Sequence, residues 1–190
     1  MANISLTYLF HGLLLSFFLL LLTHNLVRAD EKLIEQKCRD TETPTLCIQC
    51  IKSDPGGEKA NSTTAIASIV INCISNHAGV LIKNVSDLAA AYSSDKKFAA
   101  VCEDCRKGYT RARKSLSTAT ANLKKGDYDN ANHYVIVALD DDYVRSCEPG
   151  LQPYEFGIVP PGVFYQIRVY EDLSGIAMTI IDRLLAYKQP

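Results

Sequence analysis

Apolar positions recur at alternating steps of four and three along most of the chain, most cleanly at Phe98, Cys102, Cys105, Tyr109, Ala112, Leu116, Ala119 and Leu123. That rhythm predicts one long helix from Lys96 to Lys125 with a single narrow buried seam. Lys124-Lys125-Gly126 closes it, with positive charge in the last turn and glycine at the exit. An earlier stripe, Ile66, Ile69, Cys73, Asn76 and Val80, predicts a helix from Glu58 to about Asn84. A third helix is expected from about Asp127 to Cys147, capped by Asp127 or Asp129, with Ala131, Val135, Ala138 and Leu139 facing inward. The last, from about Val163 to Tyr187, repeats the alternation at Tyr170, Leu173, Ala177, Ile180, Leu184 and Tyr187. Asp54-Pro55-Gly56-Gly57 and the stretch from Pro149-Gly150 to Pro160-Pro161-Gly162 break the pattern. Strand-like alternation is confined to Ile158-Val159, which is too short to matter. The pattern therefore predicts an all-α fold, an up-and-down four-helix bundle over residues 58–187. Ahead of it, residues 30–55 form a short helical hairpin in which Pro44 opens a helical turn and Thr43 caps it.

The first residues follow a different logic. Leu13 to Leu22 is apolar apart from Ser16 and too short to span a bilayer. Val27-Arg28-Ala29 then places small or apolar residues at the −3 and −1 positions before Asp30. Residues 1–29 read as a signal peptide, although nothing basic precedes Leu13. Nothing later resembles a second span, so no membrane association is expected after cleavage. Asp30 to Pro190 is then one domain of ordinary size, secreted to the outside of the cell.

Removing the leader takes away one charge, Arg28, and leaves 19 basic against 21 acidic residues. No basic patch with interleaved aromatics appears, so nucleic acid is not an expected partner. Arg106 to Lys114 is the most basic segment and reads as a solvated helix face. All seven cysteines lie in the secreted part, and in an oxidising compartment such a set reads as a disulfide frame with one thiol left over. Cys38 and Cys47 bracket Thr43-Pro44 and could staple the hairpin. A bridge between Cys105 and Cys147 would tie two antiparallel helices, worth on the order of 4 kcal/mol. Cys50 and Cys73 read as buried small hydrophobes rather than an added bridge. Cys102 and Cys105 lie three apart inside a helix, where a bond would constrain little and a redox pair lacks the helix amino terminus it needs.

Other chemistry finds no support. Only His77 and His133 survive processing, on different helices and without a ligand at the zinc-helix spacing. Asp140-Asp141-Asp142 lacks the glycine and spaced acidic ligands of a calcium loop and reads as a solvated or capped helical face. There is no nucleophile elbow and no phosphate loop, so neither an enzyme nor a bound cofactor or metal is expected. Asn61-Ser62-Thr63 and Asn84-Val85-Ser86 are acceptor sequences for N-glycosylation.

Three segments carry a resemblance. Cys38-Arg-Asp-Thr-Glu-Thr-Pro-Thr-Leu-Cys47 followed by Ser53-Asp54-Pro55 resembles the amino-terminal hairpin of the plant invertase and pectin methylesterase inhibitor family. Cys105-Arg-Lys-Gly-Tyr109-Thr-Arg-Ala112 resembles its third-cysteine helix. Lys125-Gly126-Asp127-Tyr128, Ala138-Leu139-Asp140-Asp141 and Ser146-Cys147-Glu148 resemble its fourth. The resemblance implies bridges Cys38–Cys47 and Cys105–Cys147 and leaves Cys50, Cys73 and Cys102 outside the frame. It also implies an inhibitor that caps the cleft of a plant cell-wall carbohydrate-active enzyme, with pectin methylesterase or acid invertase as protein partner. Members of the family that block invertase carry Pro-Lys-Phe in the turn between the third- and fourth-cysteine helices. Here that turn is Gly126-Asp127-Tyr128-Asp129, acidic and without the lysine, which favours pectin methylesterase and makes Asp127, Tyr128 and Asp129 the candidate enzyme contacts. Tyr128 is equally a candidate core residue of the next helix. A non-inhibitory secreted or pollen protein on the same scaffold is the remaining alternative.

Overall fold

The computed structural model describes residues 31–186 together with His11 and Ser16. The leader read over residues 1–29 lies, but for those two positions, outside the described residues, as does Tyr187. The hairpin comprises α1 over residues 31–39 and α2 over Pro44–Ser53, followed by a 3-10 turn at Gly57–Lys59. The bundle comprises α3 (Thr63–Ala91), α4 (Lys96–Lys124), α5 (Tyr128–Leu139), α6 (Asp142–Arg145), α7 (Cys147–Leu151) and α8 (Pro161–Ala186). α3 packs on α4 and α8, and α5 packs on the same two, so the four layers close a square.

α4 holds the firmest part of the sequence reading: all eight positions of its stripe are buried. Asp95 caps it, its Oδ1 accepting from the backbone N–H groups of Lys97 at 3.1 Å and Phe98 at 3.0 Å. At the other end Gly126 takes φ 73°. Its N–H donates to Leu123 O, and the N–H of Asp127 donates to Asn122 O, both at 3.0 Å. That is a Schellman closure, and it needs a residue without a Cβ at the left-handed position.

α3 departs from expectation in both start and phase. Ser62 caps it by accepting from Ala65 N–H, so it begins at Thr63, and Glu58 belongs to the preceding 3-10 turn. Asn76 and Val80, expected inside, are exposed. The buried ridge runs instead through Ala67, Ile71, Ile74, Ala78, Leu81 and Val85. The stripe through Cys73 follows the side that meets the hairpin. By length and composition α3 is apolar enough to cross a membrane, with a mean hydropathy of 1.7 in its most apolar window, which corrects the expectation that nothing after the leader resembles a span. In the bundle that apolar surface meets α2, α4 and α8.

The expected third helix is broken. It stops at Leu139 and restarts at Asp142 because Asp141 caps a new turn, its Oδ1 accepting from Tyr143 N–H at 3.0 Å. Arg111 of α4 grips the same carboxylate through Nε and one Nη, both at 2.8 Å, and its guanidinium lies 4.4 Å over the Tyr143 ring. The acidic triad is thus a helix break pinned from the neighbouring helix, and part of the basic segment is its clamp. α6 comes close to α4 only because Gly108 has no side chain: a Cβ there would stand 2.8 Å from the backbone of Tyr143 and Val144.

Three disulfides staple the fold: Cys38–Cys47, Cys105–Cys147 and Cys50–Cys73. The third corrects the reading of Cys50 and Cys73 as unbonded hydrophobes. Both are buried, and their bond fastens α2 to α3. Cys102 is the free thiol, buried inside the α4 seam, and burial pushes its pKa up to about 11, where it is a small hydrophobe and a poor nucleophile. Thr43 occupies the cap position of α2 but makes no side-chain cap bond.

Two tyrosines meet edge to face at the centre, Tyr109 and Tyr170, with ring centroids 5.3 Å apart. Tyr170 donates its hydroxyl to Ala138 O at 2.8 Å, a carbonyl near the broken end of α5. The Tyr109 hydroxyl is buried with no partner. Removing the two hydroxyls should therefore have opposite consequences. Tyr170→Phe is expected to cost about 1–3 kcal/mol by orphaning Ala138 O, whereas Tyr109→Phe should be neutral or stabilising. Urea unfolding of the two variants side by side checks this, and equal losses would contradict the assignment.

Candidate interaction surface

The turn between α4 and α5 is built for shape. Asp127 caps α5, accepting from Asn130 N–H at 3.3 Å and from Asn130 Nδ2 at 2.8 Å. Tyr128 is half-buried against the core, and its hydroxyl lies 3.4 Å from Thr64 Oγ1 at the start of α3. Of the three candidate contacts, Asp127 and Tyr128 are thus engaged in holding the turn, and Asp129 projects as the exposed carboxylate. Lys124, Lys125 and Asn130 are exposed in the same stretch of chain. The tip is a rigid, mixed-charge knob.

The sequence reading missed the most exposed aromatic. Phe156 is 98 % exposed in the connection between α7 and α8, and Tyr165 is 58 % exposed one turn into α8. Neither belongs to a periodic stripe, so hydrophobic rhythm could not flag them. The signal available was an aromatic in Glu155-Phe156-Gly157, a segment with no helix to bury it. Phe156 is a single exposed aromatic rather than part of an apolar patch. It sits at the end of the bundle where Tyr154 packs on Phe98 with ring centroids 4.6 Å apart, opposite the Gly126 turn. The 29 residues of α4 separate the two ends, about 43 Å at 1.5 Å per residue.

The remaining candidates are scattered. Asn61 is exposed in the loop before α3. Asn84 is half-buried inside α3, with Val85 buried beside it and Ser86 Oγ donating to Ile82 O at 2.7 Å. His77 Nδ1 is hydrogen-bonded to Gln166 Oε1 at 2.8 Å, and His133 stacks edge-on against Tyr134 at 5.5 Å. Among the described residues no three His, Cys, Asp or Glu side chains converge as a metal site. Glu171 is held above the usual carboxylate range by partial burial and by the neighbouring charges of Glu148 and Asp172.

Known proteins match this arrangement along most of its length. The family model for plant invertase/pectin methylesterase inhibitors matches residues 32–180. A pectinesterase inhibitor of Actinidia deliciosa is 28% identical over 83% of this chain and 82% of its own. The cell wall / vacuolar inhibitor of fructosidase 2 of Arabidopsis thaliana is 26% identical over 80% of this chain and 83% of its own. In three dimensions the chain is similar to the crystal structure of a mutant form of a pectin methylesterase inhibitor from Arabidopsis. The TM-score is 0.62 at 21% identity, over 76% of this chain and 92% of that one.

Proposed function

This chain belongs to the plant invertase/pectin methylesterase inhibitor family, and from that premise we propose that it is a secreted inhibitor of pectin methylesterase acting in the cell wall. The observation that carries the target is the turn Gly126-Asp127-Tyr128-Asp129, which is acidic and lacks the lysine that invertase-directed members of the family carry in that turn. A rigid helical bundle inhibits by covering: one face or end closes the substrate cleft, a few buried anchors supply affinity, and charged rim residues select the partner. No bond is made or broken, so the chain needs neither cofactor nor metal for this role. Secretion rests on the leader over residues 1–29, and Asn61, exposed ahead of α3, is the better placed of the two glycan acceptors.

Acid invertase is the second reading, favoured by the fructosidase-inhibitor relative. One experiment separates the two. The oxidised protein from Asp30 onward is mixed at equimolar ratio with a plant pectin methylesterase and with a cell-wall invertase, from mildly acidic to neutral pH. The esterase should lose activity and the invertase keep it. Asp129→Lys should then weaken esterase inhibition about tenfold, because reversing a charge at the rim turns an attraction into a repulsion. Inhibition of invertase alone would reverse the target, and full activity of both enzymes would leave a non-inhibitory scaffold.

A further inference from the structure

An open groove of about 600 Å³ runs between α3 and α4. Its accessible apolar lining is Ile69 and Ala121, with Ile71 and Leu116 buried beneath. Its walls are polar: Ser68, Asn72 and Ser75 line the α3 side, and Ser117, Thr120 and Lys124 line the α4 side. Both rows follow helical spacing, so the groups point the same way along the groove.

One cation lines it, Lys124, and a second, Arg113, lies just beyond the Ser75 end. Arg113 leans across Gly79 and donates from Nε to Ser75 Oγ at 3.4 Å. Lys124 stands eleven residues further along α4, about 16 Å away along the helix axis. Like Lys96, Lys97 and Lys114 of the same helix, neither belongs to an ion pair among the described residues. One carboxylate borders the groove, Asp54, and both its oxygens are engaged: Oδ2 accepts from Asn72 Nδ2 at 2.9 Å and Oδ1 from Gly56 N–H at 2.8 Å.

An unpaired cation in one wall, a second just beyond the opposite end, hydroxyls and an amide between them and apolar side chains beside them make a complement to an anionic sugar chain. Carboxylates pair with the guanidinium and the ammonium, ring hydroxyls exchange hydrogen bonds with the serine, threonine and asparagine side chains, and the C–H faces of the rings cover Ile69 and Ala121. An acidic peptide would meet the same cations. But both walls are helices whose backbone groups are already bonded, so they have nothing to offer a peptide backbone. The chain as a whole is slightly acidic, so general attraction of polyanions does not explain such a site. We infer that the α3–α4 groove binds a short oligosaccharide of uronic acids. The inference goes beyond the inhibitory role and does not depend on which enzyme the chain blocks.

Calorimetric titration of the oxidised protein tests it, with three probes: an oligogalacturonate of defined length, its fully methyl-esterified form, and an acidic glutamate peptide of equal charge. The free acid should bind, more weakly as salt is added, and the ester and the peptide should not. Arg113→Gln and Lys124→Gln should each weaken binding about tenfold or more. Lys97→Gln, exposed at the far end of α4, should change nothing. Ser117→Phe keeps the charge and fills the groove, and should abolish binding while far-ultraviolet circular dichroism stays that of the parent. No heat with the free acid overturns the inference. So does equal binding of the ester or the peptide, or full affinity in Ser117→Phe.

Discussion

Exchanging Cys105 and Cys147 together for serine is expected to lower the midpoint of thermal unfolding by about 8–16 °C. The two cysteines are 42 residues apart in sequence, and their bond joins α4 to the start of α7. Releasing a loop of that length from the unfolded chain costs about 4 kcal/mol on the chain-entropy model. For a domain of this size each kcal/mol moves the midpoint by roughly 2–4 °C. The native side adds to the loss, because both sulfurs are buried and a serine hydroxyl in their place finds an apolar seam. Differential scanning calorimetry under non-reducing conditions reads it, and an unmoved midpoint would mean that the bond does not restrict the unfolded chain as the loop model requires. Cys38–Cys47 closes a separation of only 9 residues, so its removal should have the smaller effect.

The second large effect turns on a missing atom. Gly108→Ala should destabilise by about 2–3 kcal/mol, because the new methyl would be driven into the backbone of α6 at 2.8 Å and neither partner is a flexible side chain. The displacement would also pull on Arg111, whose grip on Asp141 sets the start of α6. The same substitution at Gly175 supplies the contrast. A Cβ there meets nothing within 4 Å, and the residue lies inside α8, so Gly175→Ala should stabilise by up to about 1 kcal/mol through helix propensity alone. Denaturant midpoints of opposite sign are the expected pair of results, and two losses of equal size would remove the steric explanation.

What could be read from the sequence depended on how local its physics is. The seam of α4 was fully legible because one helix buries one stripe, and the periodicity alone places Phe98 through Leu123. Caps were half legible. Asp127 and the Gly126 exit act through bonds within a few residues, yet Thr43 has the right identity and position and still makes no cap bond, and Asp95, which caps α4, was not singled out. The break after Leu139 was not legible, since Asp141 becomes a cap in partnership with an arginine thirty residues away. The phase of α3 slipped for a similar reason: a helix touching three neighbours has no single stripe to read. The Cys50–Cys73 bond needed the hairpin to be placed on α3 before two cysteines could be seen as neighbours. Phe156 lies outside any rhythm, so the most exposed of the described aromatics left no periodic trace. The candidate turn was visible as an acidic tip, but which of its side chains stay free was decided by Asn130 and Thr64.

The three bonds are unevenly placed. They secure the hairpin to itself, the hairpin to α3, and α4 to α7, while α8 contains no cysteine. Only the connection carrying Phe156 links that helix covalently to everything before it. A single proteolytic nick there would leave a two-chain particle in which α8 persists as a bound peptide, held by Tyr170, Leu173, Ala177 and Ile180 in the trough left by the other helices. From that moment integrity would follow mass action, and dilution, which is immaterial to the uncut molecule, would release the last helix and open the core.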